Sequence, residues 1–304
     1  MGILQTPSLT SRTLIRHIGL SVAILLTSVG CAVKSEKRVS AVPSPPRVAT
    51  PAELIQRINS RSESIHTLVA TVELEPTAGS VYSGVIKEYR DVRGFILLEA
   101  PNQIRMLGQA PVVRTTLFDM VSDGREFRLS IPPKNKFIVG KADFRRAAKN
   151  SLENLRPQHI MDALLLPGLD AEKEKFAVEE AEEGMQRFYV VSIVEPAEGG
   201  ELALKRKVWF ERANLDLARL QIYGAHGAYL EDVYYAAYQD FGGVNFPSRI
   251  EIRRPIEDYR LTIRVEKATF NQPIAAEKFE LNKPEGAELI ELGKAEEKEA
   301  THDQ

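Results

Sequence analysis

Five histidines, one cysteine and 42 carboxylates are the groups of this 304-residue chain whose chemistry could matter first. The histidines are His17, His66, His159, His226 and His302. No two of them stand at i, i+3 or i+4, so no helix face presents a preformed metal pair. Neither the nucleophile elbow G-x-S-x-G nor the phosphate-cradling G-x-x-x-x-G-K-[ST] occurs. Asp240-Phe241-Gly242 spells a kinase tripeptide without the other kinase motifs. The acidic pairs Glu179-Glu180 and Glu182-Glu183 lie in a charge run expected to be a solvated loop. Arg253-Arg254 and Lys205-Arg206-Lys207 read either as contacts for phosphate headgroups or as exposed strand positions. No catalytic residue, metal or cofactor is expected from these patterns.

The lone cysteine excludes an internal disulfide framework and a multi-thiolate metal site. Its position says more. Residues 1–17 are largely polar, with Arg12, Arg16 and His17 and no acid. An apolar run of nine residues follows, 18–26. That falls short of the roughly 20 residues of a membrane span but suits the core of a signal peptide. The small residues Thr27-Ser28-Val29-Gly30 then lead to Cys31. This resembles the lipobox of bacterial lipoproteins, in which the thiol takes a diacylglycerol and the chain is cut just before it. The alternative is an ordinary secretory signal with an incidental cysteine. On the lipobox reading, residues 1–30 are the signal peptide and Cys31 is the lipidation site. Ala32, in place of Asp, then points to the outer membrane, with the protein facing the periplasm. One acyl chain anchors weakly, whereas several anchor stably.

With 43% hydrophobic and 27% charged residues the chain can bury a sizeable core. Removing Arg12 and Arg16 with the leader takes the net charge from −2 to −4, which argues against nucleic acid as a partner. Residues 31–51 hold Pro43, Pro45, Pro46 and Pro51 and no apolar period, and read as a flexible tether. Residues 291–304 are charged and expected to be disordered. The folded domain is expected over 52–290.

That domain must be built mostly of strands. Leu54, Ile55 and Ile58 share a helical face at its start, after which period two takes over. Tyr259, Leu261, Ile263 and Val265 alternate with Arg260, Thr262, Arg264 and Glu266, giving a strand with one dry and one wet face. Further strands are expected at 82–89, 94–99, 103–108, 114–121, 126–131, 136–140, 186–195, 204–212, 217–223, 229–238 and 248–254. Asp123-Gly124, Gly199-Gly200 and Gly242-Gly243 mark hairpin turns. Nothing has βαβ spacing, so an antiparallel sheet is expected, closing or curling to hide its edges. One helix interrupts it: Pro157 suits a first turn, and Ile160, Met161, Leu164 and Leu165 share a face. That helix either packs the core or lids the barrel mouth. The charged stretch 171–183 after it is expected to loop out. Ala110-Pro111-Val112-Val113 is either an exposed apolar finger or a hairpin connection folded back on the core.

Several short motifs, in order, resemble the LolA/LolB superfamily of periplasmic lipoprotein carriers and receptors. They are the helix-to-strand run from Ile58 to Leu74, Tyr82-Ser83-Gly84-Val85-Ile86, and Ala100-Pro101-Asn102-Gln103-Ile104-Arg105-Met106. Val121-Ser122-Asp123-Gly124-Arg125-Glu126-Phe127, Gly242-Gly243-Val244-Asn245-Phe246-Pro247 and Phe279-Glu280-Leu281 follow. The resemblance implies an incomplete antiparallel β-barrel of about 11–12 strands with an N-terminal helix and short capping or lid helices. It also implies an apolar cavity for acyl chains, lined by Ile160, Met161, Leu164 and Leu165, with Val112 and Val113 as a membrane-contact loop. The partners would be an acylated lipoprotein or other lipid, a periplasmic carrier protein, and the membrane through the N-terminal lipid. No bond is made or broken, so no enzyme is implied. The competing expectation is a non-catalytic envelope-stress sensor or assembly scaffold, with a filled barrel and a protein partner at its rim.

Overall fold

The computed structural model describes residues 45–79, 87–88, 92–142 and 157–292. The leader, Cys31 and most of the tether lie outside the described residues, as do the Tyr82–Ile86 motif and the tail beyond residue 292.

Helix α1, Pro51–Ser64, begins with a capping box: Glu53 N–H donates to the Thr50 hydroxyl, and Thr50 N–H donates to the Glu53 carboxylate. Pro51 fills the first helical position, where its missing N–H is no loss. Leu54 and Ile58, one turn apart, carry the buried face.

The chain then enters β1, Thr67–Ala78. A short β2, Lys87–Glu88, pairs with its end. Strands β3 (Val92–Glu99), β4 (Gln103–Gln109), β5 (Thr116–Ser122), β6 (Glu126–Ile131) and β7 (Lys136–Lys141) form one antiparallel meander. Helix α2 spans Pro157–Leu165. The second meander runs through β8 (Lys175–Glu183), β9 (Gln186–Pro196), β10 (Leu202–Glu211), β11 (Leu217–Tyr223), β12 (Tyr229–Asp240), β13 (Asn245–Arg254) and β14 (Tyr259–Phe270). A final β15, Glu288–Glu291, pairs in parallel with β7.

All strands belong to one sheet, ordered β15-β7-β6-β5-β4-β3-β1-β14-β13-β12-β11-β10-β9-β8, with β2 on β1. The order does not close on itself. This is the incomplete antiparallel barrel that the sequence leads one to expect, with more strands than 11–12. β1 is the hinge of the topology, bonded to β3 on one side and β14 on the other, with Leu68 opposite Leu98 and Phe270. Register shifts at Thr71/Val72, Gly108/Gln109, Trp209/Phe210 and Ile222/Tyr223 mark bulges, which add twist and let the sheet coil. At Gly108 the close approach needs glycine: a Cβ there would stand 2.2 Å from the Phe118 ring.

Strict alternation puts Leu68, Ala70, Val72 and Leu74 of β1 and Ile96 and Leu98 of β3 on the inner face. Ile250, Ile252, Leu261 and Ile263 continue that face on the other half, and α1 and α2 join the same core.

Two expectations are corrected. The stretch expected to loop out over 171–183 is mostly strand β8, at the edge of the sheet. Its glutamates lie on both faces of an exposed edge strand and pair with arginines: Glu180 with Arg212, Glu183 with Arg219, Glu182 with Arg187. Charge on an edge strand blocks edge-to-edge association. Residues 288–291, at the junction of the expected domain and its charged tail, form β15, which the sequence did not suggest, and cover part of the opposite edge, with Leu292 N–H donating to the Val139 carbonyl. No helix among the described residues is long and apolar enough to cross a membrane.

Candidate functional site

Helix α2 is the element around which a site is built. Ile160, Met161 and Leu164 are buried, and Leu165 is half-buried and packed on the same core. Three of the four predicted lining residues therefore meet in the core on the inner face of the sheet. Leu166, in the left-handed region at φ 45°, stops the helix, its N–H donating to the Asp162 carbonyl.

No ladder holds α2 to the sheet; side chains do. The Tyr235 hydroxyl on β12 donates to the Ala163 carbonyl at 2.8 Å. His159 Nδ1 lies 2.9 Å from Glu231 Oε2, and Arg254 Nη1 donates to the same oxygen at 3.2 Å. Arg254 Nη2 also pairs with Glu257. The loop after α2 is fixed by Arg206, which grips Glu174 with two nitrogens and donates to the Gly168 carbonyl at 2.8 Å. Gly168 N–H and Leu169 N–H donate to Ser62 and Asn59 of α1.

These charges sit where few survive unpaired. Burial pushes the Glu231 carboxyl up to about 8, against the opposing pull of Arg254. Burial likewise raises Asp162 to about 6, the Gln158 amide that donates to it at 2.7 Å acting the other way. Burial is the largest influence on Glu174 and pushes it up, but the Arg206 hydrogen bonds, the Asp170 N–H and the Arg206 charge together outweigh it and hold the carboxyl below its ordinary range.

Sequence reasoning missed this cluster, although a signal existed. Glu231 stands in phase with the inward Val233 and Tyr235, Arg254 with Ile250 and Ile252, and Arg206 with Val208 and Phe210. A charge in phase with an apolar face is a buried charge. Arg206 and Arg254 are accordingly neither headgroup contacts nor exposed strand positions.

The other predicted residues are placed as follows. Val112 and Val113, in the β4–β5 turn, stand in solvent at 91% and 70% exposure, not folded back on the core. Phe210 faces the core. Trp209 lies on the outer face within a cross-strand stack, with Phe188 5.7 Å away and Arg219 5.3 Å over its ring. Arg219 and Arg253 sandwich Tyr234 at 4.7 and 4.3 Å.

No family model matches the chain and no curated protein does. Solved structures share the course of its backbone. An outer membrane lipoprotein-sorting protein domain from Vibrio parahaemolyticus is 14% identical, with 75% of this chain and 94% of that one covered at TM-score 0.49. A LolA superfamily protein from Nitrosomonas europaea is 10% identical over 77% and 99%, TM-score 0.48. A DUF1329 family protein from Desulfovibrio piger is 11% identical over 75% and 95%, TM-score 0.49.

Proposed function

We propose that this protein is an envelope lipoprotein, anchored through Cys31 in the outer membrane, whose interior receives acyl chains when α2 withdraws. The carrying observation is that an apolar nine-residue helix packs into the core of an unclosed sheet and, among the described residues, is attached to it by side chains. A helix so held can leave without breaking a strand ladder. Its departure would uncover buried apolar side chains of β5 and β13, the strands it packs against. Acyl chains favour such a surface by roughly 0.8 kcal/mol per CH₂. The exposed Val112–Val113 turn would touch the bilayer, and an acylated lipoprotein or another lipid, delivered by a periplasmic carrier protein, would be the cargo. No step needs a catalytic group.

A second reading has one observation in its favour: the interior is filled, with Ile160, Met161 and Leu164 buried at 1–3% exposure. A filled barrel suits a stress sensor or assembly scaffold that binds a protein at its rim. The test uses the full chain with an environment-sensitive apolar dye, titrated with a triacylated cysteine peptide and its non-acylated twin. Stoichiometric displacement by the acylated peptide alone supports the carrier or receptor reading. A dye that never binds, or that neither peptide displaces, turns the assignment to a protein partner.

A further inference from the structure

A cleft of about 520 Å³ lies between α1 and the strands β10–β13, with no residue of α2 in its lining. Its volume falls within the range of small-molecule sites, roughly 300–1,000 Å³. One wall is the second face of α1. Glu53, Arg57, Ser60 and Arg61 follow at helical spacing, turned away from the buried Leu54 and Ile58. The opposite wall is apolar where Phe210 and Leu217 form it, and polar where Tyr238 and Asn245 do.

Arg61 is the residue that needs explaining. Its guanidinium lies 5.2 Å over the Phe246 ring, a contact that fixes the plane of the group. Nε and Nη2 are shielded from water and have no hydrogen-bond partner among the described residues. Two unmet donors on a cation are unfavourable, and a planar fork of this kind is matched by a carboxylate or phosphate.

The cleft's own acids are engaged elsewhere. Glu53 accepts from the backbone and hydroxyl of Thr50 at 2.6 and 3.0 Å, and those bonds hold its pKa below the ordinary value. Asp216 accepts from the amides of Asn214 at 2.7 Å and Asn245 at 3.3 Å. Neither forms an ion pair with Arg61. Arg57, one turn earlier, adds a second positive charge at the same face.

We propose that this cleft is a binding site for an anionic oxygen group, carboxylate or phosphate, held by Arg61 with Arg57 beside it. The apolar wall of Phe210 and Leu217 can take a short hydrocarbon body attached to that group. The site shares no lining residue with α2, so it stands or falls independently of the acyl-chain reading.

The test is equilibrium dialysis of the full chain in a non-ionic detergent against four probes: octanoate, octyl phosphate, inorganic phosphate and 1-octanol. One octanoate or octyl phosphate per chain is expected, with octanol bound at least ten-fold more weakly. Arg61→Gln should weaken anion binding ten-fold or more, and Arg61→Lys should restore part of it. Ser60→Tyr, which fills the cleft from an exposed helix position without altering Arg61, should abolish binding and serves where Arg61→Gln does not fold. Inorganic phosphate bound as tightly as octyl phosphate assigns the site to the free anion; binding of the octyl compounds alone assigns it to an amphiphile. Octanol bound as well as octanoate, unchanged affinity in Arg61→Gln, or no binding by any probe would overturn the proposal.

Discussion

His159 of α2 and Glu231 of β12 meet at 2.9 Å across the interior, and the Glu231 side chain has no exposure to solvent. Their contact ties α2, which no strand ladder holds, to the sheet. Arg254, on the neighbouring strand, donates to the same oxygen at 3.2 Å.

Glu231→Ala is expected to destabilise the protein by about 1–3 kcal/mol, because His159 and Arg254 lose a buried hydrogen-bonding partner while Arg254 keeps Glu257. Glu231→Gln preserves shape and a hydrogen-bonding oxygen and should lose less. Urea unfolding of the two variants beside the wild type checks both. Equal stability of Glu231→Ala and wild type would show that the triad does not hold the fold.

Stability should pass through a maximum near pH 4.5. A carboxyl raised in the folded state binds its proton more tightly there than in the unfolded chain. Its contribution is therefore lost as pH rises from the unfolded value, near 4, to the folded one. For Asp162 that window ends near 6 and for Glu231 near 8. Each group lowers stability by at most about 1.4 kcal/mol per pH unit. Glu174 and Glu251 are shifted the other way by their arginine partners, burial opposing, and lose stability as pH falls below about 4.5. Urea midpoints measured at pH 4, 5, 6.5 and 8 should trace the curve, and Glu231→Gln should flatten its upper limb.

Tyr235→Phe removes the hydroxyl that binds the Ala163 carbonyl and leaves the ring in place. A loss of about 1–2 kcal/mol is expected. If α2 is released more readily, its amides should exchange hydrogen roughly ten-fold faster while β1 amides in the sheet centre stay as protected as before. Uniform acceleration would mean that the hydroxyl supports the whole fold and not the helix.

Val112→Asp with Val113→Asp should change stability by less than about 0.5 kcal/mol, since both side chains are already in water. Flotation with phospholipid vesicles reads their effect: the pair should weaken association of a Cys31→Ala chain, which retains the turn and lacks the anchor. Cys31→Ala alone should release the protein from membranes and leave the leader uncut. Continued membrane association with an unchanged mass would end the lipoprotein reading.

Much of the sheet was readable because its strands have one dry face. Tyr259 to Glu266 alternates without a break, and the structure runs β14 through it. The helix over 157–165 was equally plain, from Pro157 and the spacing of Ile160, Met161 and Leu164. β8 was not readable, since an edge strand exposed on both faces needs no apolar period and Glu179 to Glu183 has none. β15 is four residues long and exists through its parallel partner β7. The Glu231–Arg254 pair and the Arg206–Glu174 grip join residues 23 and 32 positions apart, a closeness that only the folded sheet creates. The Arg61 cleft was hidden for the same reason: α1 and β10–β13 are distant in the chain.

The central position of β1 has a consequence for how the molecule comes to be. Leu68 must find Phe270, and Ala78 must find Tyr259, so the ladder that joins the two halves spans nearly the whole domain. Pairings of such long sequence separation form slowly. A chain delivered N-terminus first would present β1, apolar on one side, long before its last neighbour arrived. Until then β1 has a partner in β3 but an open flank, and the nascent sheet needs shelter from other chains during that interval.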